Sequence, residues 1–316
     1  KEIQAKIEAG EISFEDAARE NSTCPSGQTG GALGEFSKGQ MVPEFDSAVF
    51  AMEVGEICEK PVALNVQELE EMIAVSEECG VVFTVHQNRR WDRDFNIMKK
   101  IFDDNTLGRV FRIESRVHGS RGIPGDWRNR KECGGGMMMD WGIHMLDQMF
   151  NMMGDRKVKS IYARMTNITN EDCDDGFKVI AEFDDGIEFH VEVGTSNFVN
   201  LPRWYMLGEN GTAVMNNWTE GKIVMVSDWE NRDAVPVQAS AGWTKTMAPR
   251  TNDTIQEYPL PTVNVTLRDF YHNVALVIKG EATTLLVTHE QMLRDMRFIE
   301  ACFRSAAENR VITDFE

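Results

Sequence analysis

The sequence holds 316 residues, 42% hydrophobic and 27% charged, which at roughly 100–200 residues per domain allows about two domains, each with its own core. Its 33 Lys+Arg stand against 51 Asp+Glu, a net charge of −18. That argues against a nucleic-acid or anionic-membrane surface, since either needs a basic footprint.

The most apolar stretch, around Met137–Met153, is broken by Asp140, His144 and Asp147, so no segment of about 18 or more apolar residues spans a bilayer. No charged-then-apolar signal peptide opens the chain, and the first residue is Lys1 rather than Met, which leaves room for an upstream piece. Six cysteines (Cys24, Cys58, Cys79, Cys133, Cys173, Cys302) are scattered, with no Cys-x-x-Cys pair and no zinc-type spacing. This reads as the reduced thiols of a cytoplasmic protein with no metal site. Methionines cluster at Met137–Met139 and Met145–Met153 and read as adaptable core filling.

Residues 1–57 have a texture of their own, with 4 basic and 11 acidic residues. A helical opening leads to a Gly/Ser-rich loop from Cys24 to Gly34, then to a second amphipathic helix near Pro43–Met52. From Cys58 the pattern changes. Asn65 is an N-cap for a helix over Val66–Cys79 with Leu69, Met72, Ile73 and Val75 as its buried stripe, and Gly80 closes it. Val81–Val85 reads as a strand buried on both faces, and Asp94–Phe102 as a further helix. This order is the tail of a doubly wound α/β unit.

Beyond Arg109 the pattern predicts alternating strands at Val110–Val117, Lys159–Met165, Phe177–Phe183, Ile187–Val193, Tyr205–Leu207, Ala213–Asn216 and Lys222–Val226. Asp184-Asp185-Gly186 and Glu209-Asn210-Gly211 read as hairpin turns built on residues that tolerate positive φ. Helices are expected over Met138–Met153, Thr266–Lys279 and His289–Asn309. The fold class is α+β, with a largely antiparallel, open-faced C-terminal sheet.

The strongest chemical signal is Glu59-Lys60-Pro61, followed by Gly134-Gly-Gly136 and then Asp140, His144 and Asp147. Asp140 and His144 are four apart and share a helix face, while three glycines permit a close backbone approach. A helix N-terminus lowers a histidine's pKa and a neighbouring carboxylate raises it, a combination that holds an imidazole near neutrality for acid/base work. Pro61 keeps Lys60 extended, so its ammonium could be aimed into a cleft. Taken singly, an Asp–His pair can be a surface contact and Glu-Lys-Pro any loop.

Together, Glu59-Lys60-Pro61-Val-Ala-Leu, Val85-His-Gln-Asn-Arg-Arg-Trp91, Asp126-Trp127-Arg128 and the GGGxxxDxGxHxxD run resemble, in order, the glucose–fructose oxidoreductase/inositol dehydrogenase/MocA (Gfo/Idh/MocA) family over residues 58–316. The resemblance implies an oxidoreductase using NAD or NADP on a sugar or cyclitol hydroxyl, with Lys60, Asp140 and His144 as catalytic trio. His144 would exchange the proton, Lys60 would stabilise the alkoxide and Asp140 would orient the pair. Glu59, Lys60, Pro61, Asn88 and Arg89 would border the cofactor, and Trp127, Arg128 and His144 the substrate, although Trp127 could equally be core. His272, beside Tyr271, is a further candidate for the substrate's border. The resemblance also implies a homo-oligomer packed through the C-terminal sheet, whose exposed face needs cover. Yet no Gly-x-Gly-x-x-Gly occurs anywhere in the chain, so weak or no cofactor binding is expected, and a non-catalytic remnant that assembles through its C-terminal sheet is an alternative reading.

Residues 1–57 resemble a second family. Asn21-Ser-Thr-Cys24-Pro-Ser-Gly, Gly30-Gly-Ala-Leu-Gly-Glu-Phe36, Gly39-Gln-Met-Val-Pro-Glu-Phe45-Asp and Val54-Gly-Glu-Ile57 look like a parvulin-type peptidyl-prolyl isomerase. By that resemblance Cys24 would sit at the isomerase centre, with Met41 and Phe45 forming the proline pocket; a small buried thiol is the other reading of Cys24. The expected organisation is therefore a parvulin-like fragment (1–57), the tail of a Rossmann domain (58–107) and a substrate-binding and oligomerisation domain (108–316). The two resemblances meet at Ile57/Cys58, inside what would be structure for each.

Overall fold

The computed structural model describes residues 60–228 and 250–315, with the backbone of 238–240 and 243–245. The chain divides into two units, Lys1–Ala51 and Met52–Glu316, and the described residues all belong to the second. Cys24, Met41, Phe45 and Glu59, with the two helices expected before Cys58, lie outside the described residues.

Helix α1 (Val66–Cys79) begins where the Asn65 side chain accepts the Glu68 N–H and ends at Gly80, at φ 65°. Its buried face is narrower than expected: Leu69, Ile73 and Ser76 are buried, while Met72 and Val75 are exposed. The buried three follow each other at spacings of four and three, forming one stripe, and Met72 and Val75 lie off it.

Val81–Val85 is not the expected strand. Val85 alone makes a bridge, Val81–Phe83 are half-buried, and the run joins no sheet among the described residues. A parallel strand needs neighbours for its N–H and C=O groups. The backbone curls instead, with Gln87 N–H donating to Val85 O (3.0 Å) and Asn88 N–H to His86 O (2.9 Å). This bend delivers residues 86–91 to helix α2 (Arg93–Asp103).

The expected α+β sheet is present. Its strands are β1 (Val110–His118), β2 (Val158–Thr166), β3 (Gly176–Phe183), β4 (Glu188–Gly194), β5 (Trp204–Gly208), β6 (Gly211–Met215), β7 (Gly221–Val226) and β10 (Ile255–Tyr258). They run in the order β10-β7-β6-β5-β1-β4-β3-β2, with β1 and β4 parallel and every other pair antiparallel. The sequence reading missed β10 and a short hairpin, β8 (Gln238–Ser240) with β9 (Trp243–Lys245). Gly186 turns the β3–β4 hairpin at φ 85°, as expected. The Glu209-Asn210 turn uses no left-handed residue, contrary to expectation; it is held against the neighbouring chain by Asn210 N–H donating to Leu107 O (3.0 Å).

One sheet face carries cross-strand charge pairs, including Arg112–Glu188 (2.9 Å), Lys178–Glu192 (3.6 Å) and Lys159–Glu182 (2.5 Å). Opposite charges on facing strands stabilise such a surface in water, so this part of the sheet needs no apolar cover. The other face is closed by helix α5 (His289–Glu308), started by a Thr288/Gln291 capping box. Ser305 Oγ accepts the Ala163 N–H of β2 (3.0 Å), and Ile312 bridges Ile161 on the same edge. Helix α4 (Arg268–Ile278) precedes it.

The expected helix over Met138–Met153 is two structures. Met138–Gly142 form a wide turn in which the Ile143 N–H reaches back five residues to Met138 O, and helix α3 (Ile143–Met153) continues from it. Met137–Met139, Met145, Met149, Met152 and Met153 are all buried, in agreement with the core-filling reading. Each such side chain contributes roughly 1.5–3 kcal/mol on burial.

The glycine run before this helix is packed against protein. A Cβ on Gly135 would lie 2.6–2.8 Å from the carbonyl oxygens of Arg128, Arg130 and Trp127, and one on Gly136 would lie 2.1 Å from Asp174 Oδ1. Backbone oxygens cannot swing aside, so Gly135→Ala should destabilise by roughly 1–3 kcal/mol in urea unfolding. Gly119→Ala, where nothing lies within 4 Å, should be near neutral. Equal midpoints for the two variants would contradict this account of the glycine run.

Candidate active site

Four separate pieces of chain converge on the start of α3. Lys60, in a bend ahead of a cis Lys60–Pro61 peptide, places its Nζ 2.8 Å from Asp140 Oδ1 and 2.7 Å from Asp140 O. Arg128, on a short helical turn (Trp127–Asn129) started by the Asp126 side chain, donates its Nε to Asp140 Oδ2 at 2.8 Å. One buried carboxylate thus pairs with two cations. Burial pushes the Asp140 carboxyl up, but Lys60 and Arg128 together hold it below its ordinary value.

His144 is 4% exposed, and its Nδ1 lies 3.2 Å from the side-chain carbonyl of Gln87. Burial holds the ring well below the usual histidine range, with Lys60, Arg89 and His86 pushing the same way. This corrects the expected balance between helix dipole and carboxylate. Asp140 already faces two cations, so it does not offset them at the imidazole. Asp147, one turn on, also serves another partner: Arg90 Nε and Nη2 clamp it at 2.8 and 2.5 Å, with Asp295 beside it.

Asn88 and Arg89 reach the same region on the 86–91 segment. The Arg89 guanidinium lies 4.6 Å over the Trp141 ring and 5.8 Å from that of Trp218, and Trp141 meets the His144 ring edge-on at 6.5 Å. Trp127 is buried, with Arg128 stacked 4.7 Å above it. His272 is exposed; its neighbour Tyr271 makes the contact, with its hydroxyl 3.3 Å from His86 Nε2. Consecutive helix positions point about 100° apart, so only one of that pair can face inward.

The structure therefore brings Lys60, Asp140, Arg128, His144 and Arg89 together. Sequence reasoning missed Gln87, Trp141, Trp218 and Asp174. Asp174 supports the helix start: Met137 N–H donates to its backbone oxygen (2.9 Å) and Met138 N–H to its carboxyl (2.8 Å), while burial pushes that carboxyl up to about 7. Gln87 and Trp141 lay inside motifs already singled out, whereas Trp218 sits in a polar turn with no pattern to mark it.

Comparison with known proteins gives this geometry a family. The GFO/IDH/MocA C-terminal domain profile matches residues 95–214, and the PPIC-type PPIASE (rotamase) domain profile matches residues 1–68. The crystal structure of an NAD-binding protein from Listeria innocua is 35% identical with a TM-score of 0.75, covering 96% of this chain and 79% of that one. The scyllo-inositol 2-dehydrogenase (NADP(+)) of Bacillus subtilis is 25% identical over 81% of this chain and 71% of its own length. At the N-terminus, the foldase protein PrsA of Oceanobacillus iheyensis is 54% identical over 57 residues, 18% of this chain and 19% of its own. The chain belongs to the Gfo/Idh/MocA family of oxidoreductases and carries a PPIC-type rotamase segment at its N-terminus.

Proposed function

We propose that the chain oxidises or reduces one hydroxyl-bearing carbon of a sugar or cyclitol with NAD or NADP, His144 moving the proton. The observation that carries this reading is a buried imidazole held neutral beside a Lys60–Asp140–Arg128 ion cluster. The inositol dehydrogenase relative supports the substrate class.

Asn88 Oδ1, Arg89 Nε and Trp127 Nε1 are buried without a hydrogen-bond partner among the described residues. Asn88 Oδ1 and Arg89 Nε, on adjacent residues, offer an acceptor and a donor that suit the carboxamide of a nicotinamide, and these two residues would hold that end of the cofactor. When bound, the nicotinamide supplies or takes up the hydride. The chain has no Gly-x-Gly-x-x-Gly to cradle a pyrophosphate, so the proposal includes weak dinucleotide binding. His144, neutral at physiological pH, accepts the hydroxyl proton in oxidation and returns it in reduction. Lys60, fixed by Asp140, favours negative charge developing on the substrate oxygen. Trp127 and Arg128 complete the polar side of the site.

The organisation proposed with this reading keeps residues 1–57, 58–107 and 108–316 as rotamase-like, nucleotide-domain tail and substrate domain.

Purified chain should bind NADH or NADPH weakly in fluorescence titration and turn over a cyclitol or sugar from a panel. His144→Ala should lower kcat by about 10²–10⁴ while cofactor binding persists. Oxidation needs the neutral ring, and burial depresses its pKa from 6.5. The rate should therefore stay level as pH falls through 6.5 and drop only in stronger acid. Full turnover in His144→Ala, or an acid limb at an ordinary histidine pKa, would remove His144 from this role.

The rotamase match and the PrsA likeness favour a second activity at the N-terminus, prolyl cis–trans isomerisation, for which Cys24 would be the centre and Met41 and Phe45 the proline pocket. A protease-coupled proline-peptide assay should show a rate above background that Cys24→Ala reduces. Background rates in both proteins would reject it. The sheet's charged face is the proposed surface for self-association. Sedimentation should then give a species heavier than the 35.8 kDa chain; a monomer at every concentration would count against it.

A further inference from the structure

We propose that Gln87 is a positioning residue for His144: its side-chain carbonyl accepts the Nδ1 proton and so leaves the Nε2 lone pair to receive the proton of a substrate hydroxyl. The inference rests on the acid/base role of His144 proposed above.

The geometry supports this assignment on three counts. Gln87 is 2% exposed and His144 4%, and the two meet at 3.2 Å. A buried carbonyl oxygen needs a donor, and the ring nitrogen supplies one. The backbone that carries Gln87 is held on both sides: its N–H donates to Val85 O, and its own carbonyl accepts the Arg90 N–H at 3.2 Å. That bend begins directly after Val85, the one bridged residue of the Val81–Val85 run.

The surroundings of the ring favour the same tautomer. Lys60 and Arg89, whose charges act on His144, carry hydrogen-bond donors and no acceptors. An Nε2–H would add another donor to that environment, whereas an Nε2 lone pair suits it. Among the described residues, the other charged or titratable groups around the ring include His86, which contacts Tyr271 of α4, and Asp140 and Asp147 on the ring's own segment. Arg128 and Arg90 pair with these two carboxylates, while Asp92 lies beside Arg89.

A neutral amide has a consequence that a carboxylate would not. Both accept an Nδ1 proton, but a carboxylate also stabilises the imidazolium. Gln87 therefore fixes the orientation of the ring without raising its basicity. In the oxidative direction the hydroxyl proton would pass to Nε2, and a bound oxidised nicotinamide would take up the hydride given up by the same carbon. The carbon–oxygen bond becomes a carbonyl, and the charge gained by the imidazole is released with its proton to water.

The test is nitrogen-15 NMR of the full chain labelled at its six histidines, with His144→Gln identifying the signal. The expected result for the unmodified chain is an His144 ring protonated at Nδ1 through neutral pH. Gln87→Met, of similar size and lacking the strong acceptor, should lose that preference and lower kcat at least tenfold with KM little changed. Gln87→Glu should keep the Nδ1 tautomer, restore turnover at high pH, and move the pH limb up by at least one unit. A ring protonated at Nε2 in the unmodified chain overturns the assignment without recourse to any variant. So does a tautomer that survives Gln87→Met. If instead the tautomer is as expected but His144→Ala retains full turnover, the proposed acid/base role fails and the ring's positioning has no catalytic consequence.

Discussion

A single carboxylate organises this site. Asp140 sits in the first wide turn before α3 and receives Lys60 from 80 residues earlier and Arg128 from 12 residues earlier. Removing three charged groups from water is costly unless each is paired and hydrogen-bonded. The arrangement meets that requirement by using both carboxylate oxygens and the Asp140 backbone carbonyl. Asp126 pairs with Arg128 from the other side at 2.8 Å, so the alternation of charge continues beyond Asp140.

The same surroundings lead to different charge states for two residues four apart in sequence. The cations hold Asp140 ionised, and Lys60 also acts with burial to hold His144 unprotonated. A fixed charge and a neutral proton acceptor are thereby maintained in one small volume. Arg90, clamped on Asp147 farther along α3, also donates to Gln291 Oε1 at 2.9 Å and so ties α3 to α5. Another buried pair, Arg203–Asp94 at 3.1 Å, joins α2 to the sheet, where Trp204 Nε1 also donates to Asp94. The site is therefore seated on helices anchored by buried ions, with the sheet as their common support.

Much of this was legible because the relevant physics is local. Asn65 and Gly80 mark both ends of α1, and alternating apolar residues mark β1 to β7. The catalytic candidates were visible because Lys, Asp and His stand out in ordered motifs. Failures came where distant structure decides the outcome. Val81–Val85 has the composition of a central strand, but composition cannot supply the neighbouring strands. Residues 255–258 are largely exposed and carry no apolar alternation, so β10 was invisible. Gln87 drew no attention because an amide lacks charge; its importance comes from what lies beside it. Trp218 likewise matters only because folding brings its turn towards Trp141, with their rings 6.1 Å apart.

The wide turn at Met138–Gly142 acts as a phase setter for α3. An α-helix advances about 100° per residue, so an insertion or deletion there would rotate the downstream faces by about that angle. His144 would turn from Gln87, Asp147 from Arg90, and Gln148 from the Arg89 carbonyl it holds at 2.6 Å. The turn is therefore constrained twice, by the identity of Asp140 and by its length. Replacing Asp140 would undo the ion cluster, whereas a change in length would separate three further partnerships at once.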